Sequence, residues 1–136
     1  MIKFTKKEAD FIRKRSEARV ATVSSKGWPQ VTTVVHAFNG RHIYFAMDYG
    51  SRKRKNLLHS NKISIIIDVY ERQPKAVMMQ GRAELLEKGK DFAYTRHLLE
   101  MRHAYFQANK IKETKAVLVK ITPIRKVSWG IDDSHR

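Results

Sequence analysis

The chain contains no cysteine, which excludes disulfides, thiolate metal sites and a cysteine nucleophile. The fold must therefore rest on packing. No segment approaches the roughly 18 consecutive apolar residues of a membrane span, and the opening Met1-Ile-Lys-Phe-Thr-Lys-Lys-Glu8 is charged rather than apolar, unlike a secretory leader. Together these absences give the expectation of a soluble, cytoplasmic protein. No repeat, low-complexity tract or linker interrupts the 136 residues, and at this length one domain with one core is the commonest outcome. We expect a single domain over residues 1–136.

Familiar catalytic patterns are missing too. The six histidines form no ligand pair, and His97 and His103 are spaced to fall on different faces of a helix. No serine sits in a nucleophile elbow and no glycine-rich phosphate loop occurs. Asp132 and Asp133 are adjacent in a tail, not opposed as a glycosidase pair would be. Acidic residues are scarce: 13 Asp and Glu against 28 Lys and Arg give a formal net charge of +15. That excess favours anionic partners without choosing among phosphate groups, nucleic acid and acidic surfaces.

What the sequence does have is β patterning. Thr5-Lys-Lys-Glu8 forms a capping box for a helix over about residues 6–17, with Phe11 and Ile12 toward the core. Three runs rich in Val, Thr, Ile, Tyr and Phe follow at 19–25, 30–38 and 41–46, joined by Lys26-Gly27-Trp28-Pro29 and by the hairpin signal Asn39-Gly40. A basic stretch leads into one or two helical turns at Asn56-Leu57-Leu58. Residues 62–70, with Ile63, Ile65, Ile66 and Ile67, predict a strand buried on both faces. Residues 76–86 pair with it, and Gly81 in mid-strand marks a bulge or a close backbone approach. Tyr94, Leu98, Met101 and Tyr105 stripe a long amphipathic helix over about 90–108. A strand at 115–122 ends at Pro123, and 125–130 adds a short one. The fold class is mainly β: a six- to seven-stranded antiparallel barrel with an N-terminal helix and one long helix before the last strands.

One place combines charge with geometry. In Gly50-Ser-Arg-Lys-Arg-Lys-Asn-Leu-Leu58 a basic run opens a helix directly after a strand. With Ser51 as the N-cap, its hydroxyl and the free N–H groups of the first turn face whatever docks there. Lys53 stands four before Leu57 and Arg54 four before Leu58, so both lie toward the core while Arg52 and Lys55 splay outward. Spacing does not separate Lys53 from Arg54. A phosphomonoester held there gains charge-assisted hydrogen bonds of about 1.5–3 kcal/mol each.

The run Arg19-Val-Ala-Thr-Val-Ser-Ser-Lys-Gly-Trp-Pro, then Ile43-Tyr-Phe-Ala, Ser51-Arg-Lys-Arg-Lys-Asn-Leu and Gly81-Arg-Ala, resembles the pyridoxamine 5′-phosphate oxidase-like split-barrel family over residues 17–130. The resemblance implies a split β-barrel that binds flavin mononucleotide (FMN) in clefts between the subunits of a homodimer. It further implies a flavin-dependent oxidoreductase acting on a small molecule or a nicotinamide nucleotide. It lays Arg19, Val20, Ala21 and Thr22 along the flavin, places Phe45 and Ala46 near the ribityl chain, and assigns the phosphate to Ser51, Arg52 and Lys53. Thr33, Val34 and Gln80 become ring neighbours. A flavin supplies its own redox chemistry, which agrees with the missing acid–base constellation.

The match also departs from the family. The authentic oxidases carry an Arg-Gln pair before the mid-strand glycine, where this sequence reads Ala76-Val-Met-Met-Gln80, and few residues follow Trp129 for their Arg-rich substrate-binding segment. Vitamin B₆ oxidation is therefore not the expected reaction. Related barrels bind a deazaflavin coenzyme or haem, and for haem His36 is the only histidine within a clear strand. A rival of another class is a single-stranded nucleic-acid-binding barrel using Trp28, Tyr44, Phe45 and Tyr49 as stacking groups. Tyr44 and Phe45 fall on opposite strand faces, so at most one joins such a platform.

Overall fold

The structure, a computed structural model, describes residues 2–113 and 115–131. Six strands run as β1 (Glu17–Val23), β2 (Pro29–Phe38), β3 (Ile43–Asp48), β4 (Lys62–Tyr70), β5 (Pro74–Leu86) and β6 (Ala116–Trp129). The helices are α1 (Lys6–Lys14), α2 (Arg52–His59), α3 (Lys90–Arg102) and α4 (Ala104–Ala108). All strand pairs are antiparallel, and the order β1-β2-β3-β6-β5-β4 closes into a barrel. Among the described residues no helix is long and apolar enough to cross a membrane.

Strand alternation decides what lies inside. On β1, Ala18, Val20 and Thr22 turn into the barrel, while Arg19 and Ala21 turn out. Val20 joins Phe45, Ile65, Ile67, Met79 and Val119 in the core, where each large apolar side chain contributes about 1.5–3 kcal/mol. The expectation for residues 62–70 is corrected here: Ile63, Ile65 and Ile67 are buried, but Ser64 and Ile66 stand half-buried on the outer face, because β4 has protein packed only on its inner side.

Helix α1 is stitched to the barrel by its own capping box. Thr5 Oγ1 accepts from the Glu8 N–H, and Glu8 Oε1 accepts from the Thr5 N–H at 2.8 Å. The buried Glu8 carboxylate also accepts from Ser128 Oγ at 2.7 Å and from Lys126 Nζ on β6. Ile12, fully buried, completes the attachment. The helix stops at Lys14 rather than near residue 17, because Glu17 already pairs with Val35 in the sheet.

The late elements also differ from expectation. The helix expected over 90–108 breaks at His103, whose backbone is extended (φ −118, ψ 121) and whose Nε2 donates to the His36 carbonyl at 2.6 Å. The two expected C-terminal strands are one, since β6 runs through Pro123. Gln80 pairs with Arg125 but Gly81 pairs with Pro123, so Ile124 bulges out and the proline sits where the ladder is already interrupted. Gly81 is required there: a Cβ would lie 2.3 Å from the Thr122 carbonyl oxygen.

Candidate functional site

Helix α2 is fixed at both ends before its cations matter. Ser51 Oγ caps it by accepting from the Arg54 N–H at 3.2 Å. Near its C-terminal end the buried Asn56 amide donates to Thr22 Oγ1 at 2.9 Å and to Gln30 Oε1 at 3.2 Å, tying the helix to β1 and β2. Leu57 packs into the barrel core, while Leu58 is exposed, contrary to the spacing argument.

With the helix held this way, Lys53 lines a cavity of about 760 Å³, within the roughly 300–1,000 Å³ of small-molecule sites. Thr33 and Val34 of β2 and Ala46 and Met47 of β3 form its strand walls, and Tyr105 and Phe106 of α4 its aromatic wall. Lys110, Lys112 and Lys115, from the segment leading into β6, add three further cations, against the single carboxylate of Asp48. That segment is anchored by Glu100, which accepts from the Ile111 N–H at 3.1 Å and lies 4.0 Å from Lys110 Nζ. Arg54 is drawn elsewhere, its guanidinium 3.9 Å from the centre of the Tyr49 ring. The structure thus separates Lys53 from Arg54, which spacing left equivalent.

A second cavity, of about 420 Å³, opens on the outer wall near the Gly81 bulge, and Ala21, Thr22 and Gln80 border it. The expected site residues are therefore divided. Thr33, Ala46 and Lys53 meet at the larger cavity, with Ser51 and the exposed Arg52 at the start of the same helix. Arg19 lies on the outer face opposite Thr33 and pairs with Asp68. Val20 and Phe45 face the barrel interior, since successive residues of a strand point to opposite sides, and their side chains reach neither cavity. Thr22 also points inward, and its hydroxyl serves Asn56.

The described histidines line neither cavity. His36 is fully buried; its Nε2 donates to the Ile12 carbonyl at 3.0 Å, and its Nδ1 has no partner. Burial, together with the charge of Arg102, pushes its pKa down to about 4 despite the bond to Ile12. Arg102 Nε donates to the His36 carbonyl at 3.2 Å, and its terminal nitrogen to the carbonyls of Arg15 at 2.7 Å and of Arg13. Sequence reasoning missed Asn56, Arg102 and His103 as anchors. The partners of Arg102 and His103 are backbone carbonyls distant in sequence, which leave no pattern. The stacking platform also fails locally: Tyr44 and Phe45 are both buried, Tyr44 beneath Tyr94 with ring centres 6.0 Å apart.

A closed antiparallel barrel with peripheral helices is a split barrel, and here a cationic cleft opens on its outer wall. Residues 4–128 match the pyridoxamine 5′-phosphate oxidase family, and the chain belongs to that family. Three solved structures illustrate the likeness. A conserved hypothetical protein from Mycobacterium tuberculosis superposes with a TM-score of 0.78 at 21% identity, over 94% of this chain and 86% of that one. The haem storage protein HutZ from Vibrio cholerae gives 0.76 at 16% identity, over 91% and 92%. A FAD-binding protein from Mesorhizobium loti gives 0.72 at 18% identity, over 88% of both chains. At such identities the likeness carries the fold alone. No curated protein matches the chain.

Proposed function

We propose that this protein binds FMN at the larger cavity and works as a homodimeric flavin-dependent oxidoreductase on a small molecule, with a nicotinamide nucleotide as a candidate electron donor. The observation that carries this reading is that Lys53, in the first turn of the Ser51-capped helix α2, lines a cavity walled by Thr33 and Ala46. The donor set fits the cofactor: Ser51, Arg52 and Lys53 suit a phosphate dianion, and the small residues on β2 and β3 leave room for the ribityl chain. Arg19 and Thr33, paired across β1 and β2 on the outer face, would border the ring, while Ala21 two residues further along β1 lines the smaller cavity instead; Tyr105 and Phe106 would restrict water. Bound there, the flavin would supply hydride or electron transfer. The chain's part is to grip the phosphate, orient the ring and keep its surroundings dry. A second subunit is supported by the outward apolar row of half-buried Ile66 and Met78 and exposed Val127, which neighbour one another on β4, β5 and β6.

The test is spectroscopic. Purified protein should show flavin absorbance, release FMN on denaturation, and lose it in Lys53→Ala; colourless protein that takes up no added FMN would refute the reading. A haem-binding reading has the likeness to the haem storage protein in its favour. The group it would use at this cavity is Tyr105, 66% exposed on the α4 wall, since a tyrosinate can serve as an axial haem ligand. A Soret band on adding haemin, abolished by Tyr105→Phe, would favour that alternative.

A further inference from the structure

The smaller cavity differs in kind from the one around Lys53. Its floor runs across the barrel wall along a single register line, Ala21 beside Ser64, Ser64 beside Gln80, Gln80 beside Arg125. Lys62, Arg82, Ile63 and Ile124 extend it. The depression lies where β6 bulges: Ile124 is the extra residue, and a bulge both bends its strand and re-aims the neighbouring side chain. That neighbour is Arg125. Because Gly81 lets the Thr122 carbonyl approach where any Cβ would collide, the bulge is fixed in place.

The cations here are held by neutral groups. Arg125 donates to Gln80 Oε1 at 3.4 Å, and Arg82 to Asn61 Oδ1 at 3.1 Å. Among the described residues neither arginine nor Lys62 forms an ion pair, and no carboxylate lines the cavity. An arginine positioned by an amide keeps its full charge, and its remaining N–H donors stay directed at a planar oxyanion. Arg82 and Arg125 are diagonal neighbours across the β5–β6 pair, within reach of one small anion for side chains of that length.

We propose that the groove at the Gly81–Ile124 bulge is a second ligand site, for a small molecule with a flat apolar body and a carboxylate or phosphate group. The oxyanion sits between Arg82 and Arg125, with Lys62 at the rim, and the apolar body lies over Ala21 and Ile124. The site does not depend on the flavin reading, because it shares no cation with the cavity around Lys53.

The test uses the full chain labelled with ¹⁵N, titrated with 2-naphthoate, 1-naphthyl phosphate and the neutral 2-naphthol. Both anions should shift the amides of Ala21, Ser64, Gly81 and Arg82 saturably, and naphthol should bind at least about tenfold more weakly. The double variant Arg82→Gln/Arg125→Gln should lose about tenfold or more in affinity for either anion, while Lys53→Ala leaves it unchanged. Both arginines are exposed, and the amide spectrum of the variant reports that it is folded; Arg125→Gln alone serves as a milder version. Shifts centred on Thr33, Ala46 and Lys53, equal binding of naphthol, an unaffected double variant, or the absence of saturable binding would each overturn the proposal. Loss of FMN binding in Lys53→Ala with retained naphthoate binding would separate the two sites.

Discussion

The α1 side and the α2 side of the barrel treat charge in opposite ways. Around α1, the buried Glu8 meets Thr5, Lys126 and Ser128, and Arg102 spans carbonyls of α1, the following link and β2. Around α2 and the bulge, Arg52, Lys53, Lys62, Arg82 and Arg125 form no ion pair among the described residues. Matched groups in a low-dielectric setting fix geometry, whereas unmatched cations in a cleft repel one another until an anion arrives. One region spends its charge on holding the fold, and the other leaves its charge without an ion-pair partner among the described residues.

The contrast breaks most sharply at Glu8. Removing one partner of a buried ion pair leaves the other uncompensated, so Glu8→Ala should cost about 4 kcal/mol in urea unfolding, while the folded fraction still binds FMN. Burial alone would raise the Glu8 carboxyl, but hydrogen bonds from Lys126, Thr5 and Ser128 outweigh it and hold the group below its ordinary value of 4.5. Its contribution is therefore complete above the ordinary carboxylate range and is lost as pH falls through the depressed pKa.

His36 gives the next effect, on the same side of the barrel. Its neutral form is required, because Nε2 already donates to Ile12 and a proton on the buried Nδ1 would find no acceptor. The folded pKa of about 4 lies below the unfolded 6.5, so the unfolded chain binds the extra proton first. Stability should fall as pH drops from 6.5 toward 4 and then level off for this group, a loss of roughly 3 kcal/mol at 1.36 kcal/mol per pH unit. Unfolding curves across that range should show it, and His36→Gln, which keeps a donor for Ile12, should flatten it.

Much of this division was legible in advance, because it follows from local rules. The capping box at Thr5, the hairpin at Asn39-Gly40 and the bulge glycine each declare their geometry through residues close in sequence. The outward positions of Arg19, Ala21 and Thr33 follow from strand period alone, and the same period shows why Val20 and Phe45 could not share that face. What was not legible depends on chain segments far apart. The break at His103 exists because the His36 carbonyl, 67 positions away, accepts its proton. The continuous β6 exists because β5 continues to pair with it beyond the bulge, with Ala76 opposite Trp129. Likewise, the division of the site residues between two cavities reflects where α4 and the following lysines pack, which no local spacing encodes.

Asn56 belongs to both regions, since it is matched like the α1 side but positions the helix that carries Lys53. Asn56→Ala should cost about 2 kcal/mol, as Thr22 and Gln30 lose a buried partner, and should weaken FMN binding beyond that loss by letting α2 shift. Thr22→Val should cost less, because Gln30 still accepts from the amide.

The smallest stability effect should fall at Lys53, and that is what makes it the most telling. Its ammonium has no hydrogen-bond or ion-pair partner among the described residues and shares the cavity with three other lysines, so truncation removes repulsion along with some packing. Chemical unfolding of Lys53→Ala should stay within about 0.5 kcal/mol of the parent, while FMN affinity measured by fluorescence quenching falls about tenfold or more. Unfolding and binding should thus respond in opposite proportion to Glu8→Ala. A Lys53 variant that unfolded easily yet bound FMN as before would place the cation among the structural groups and erase the distinction between the two sides.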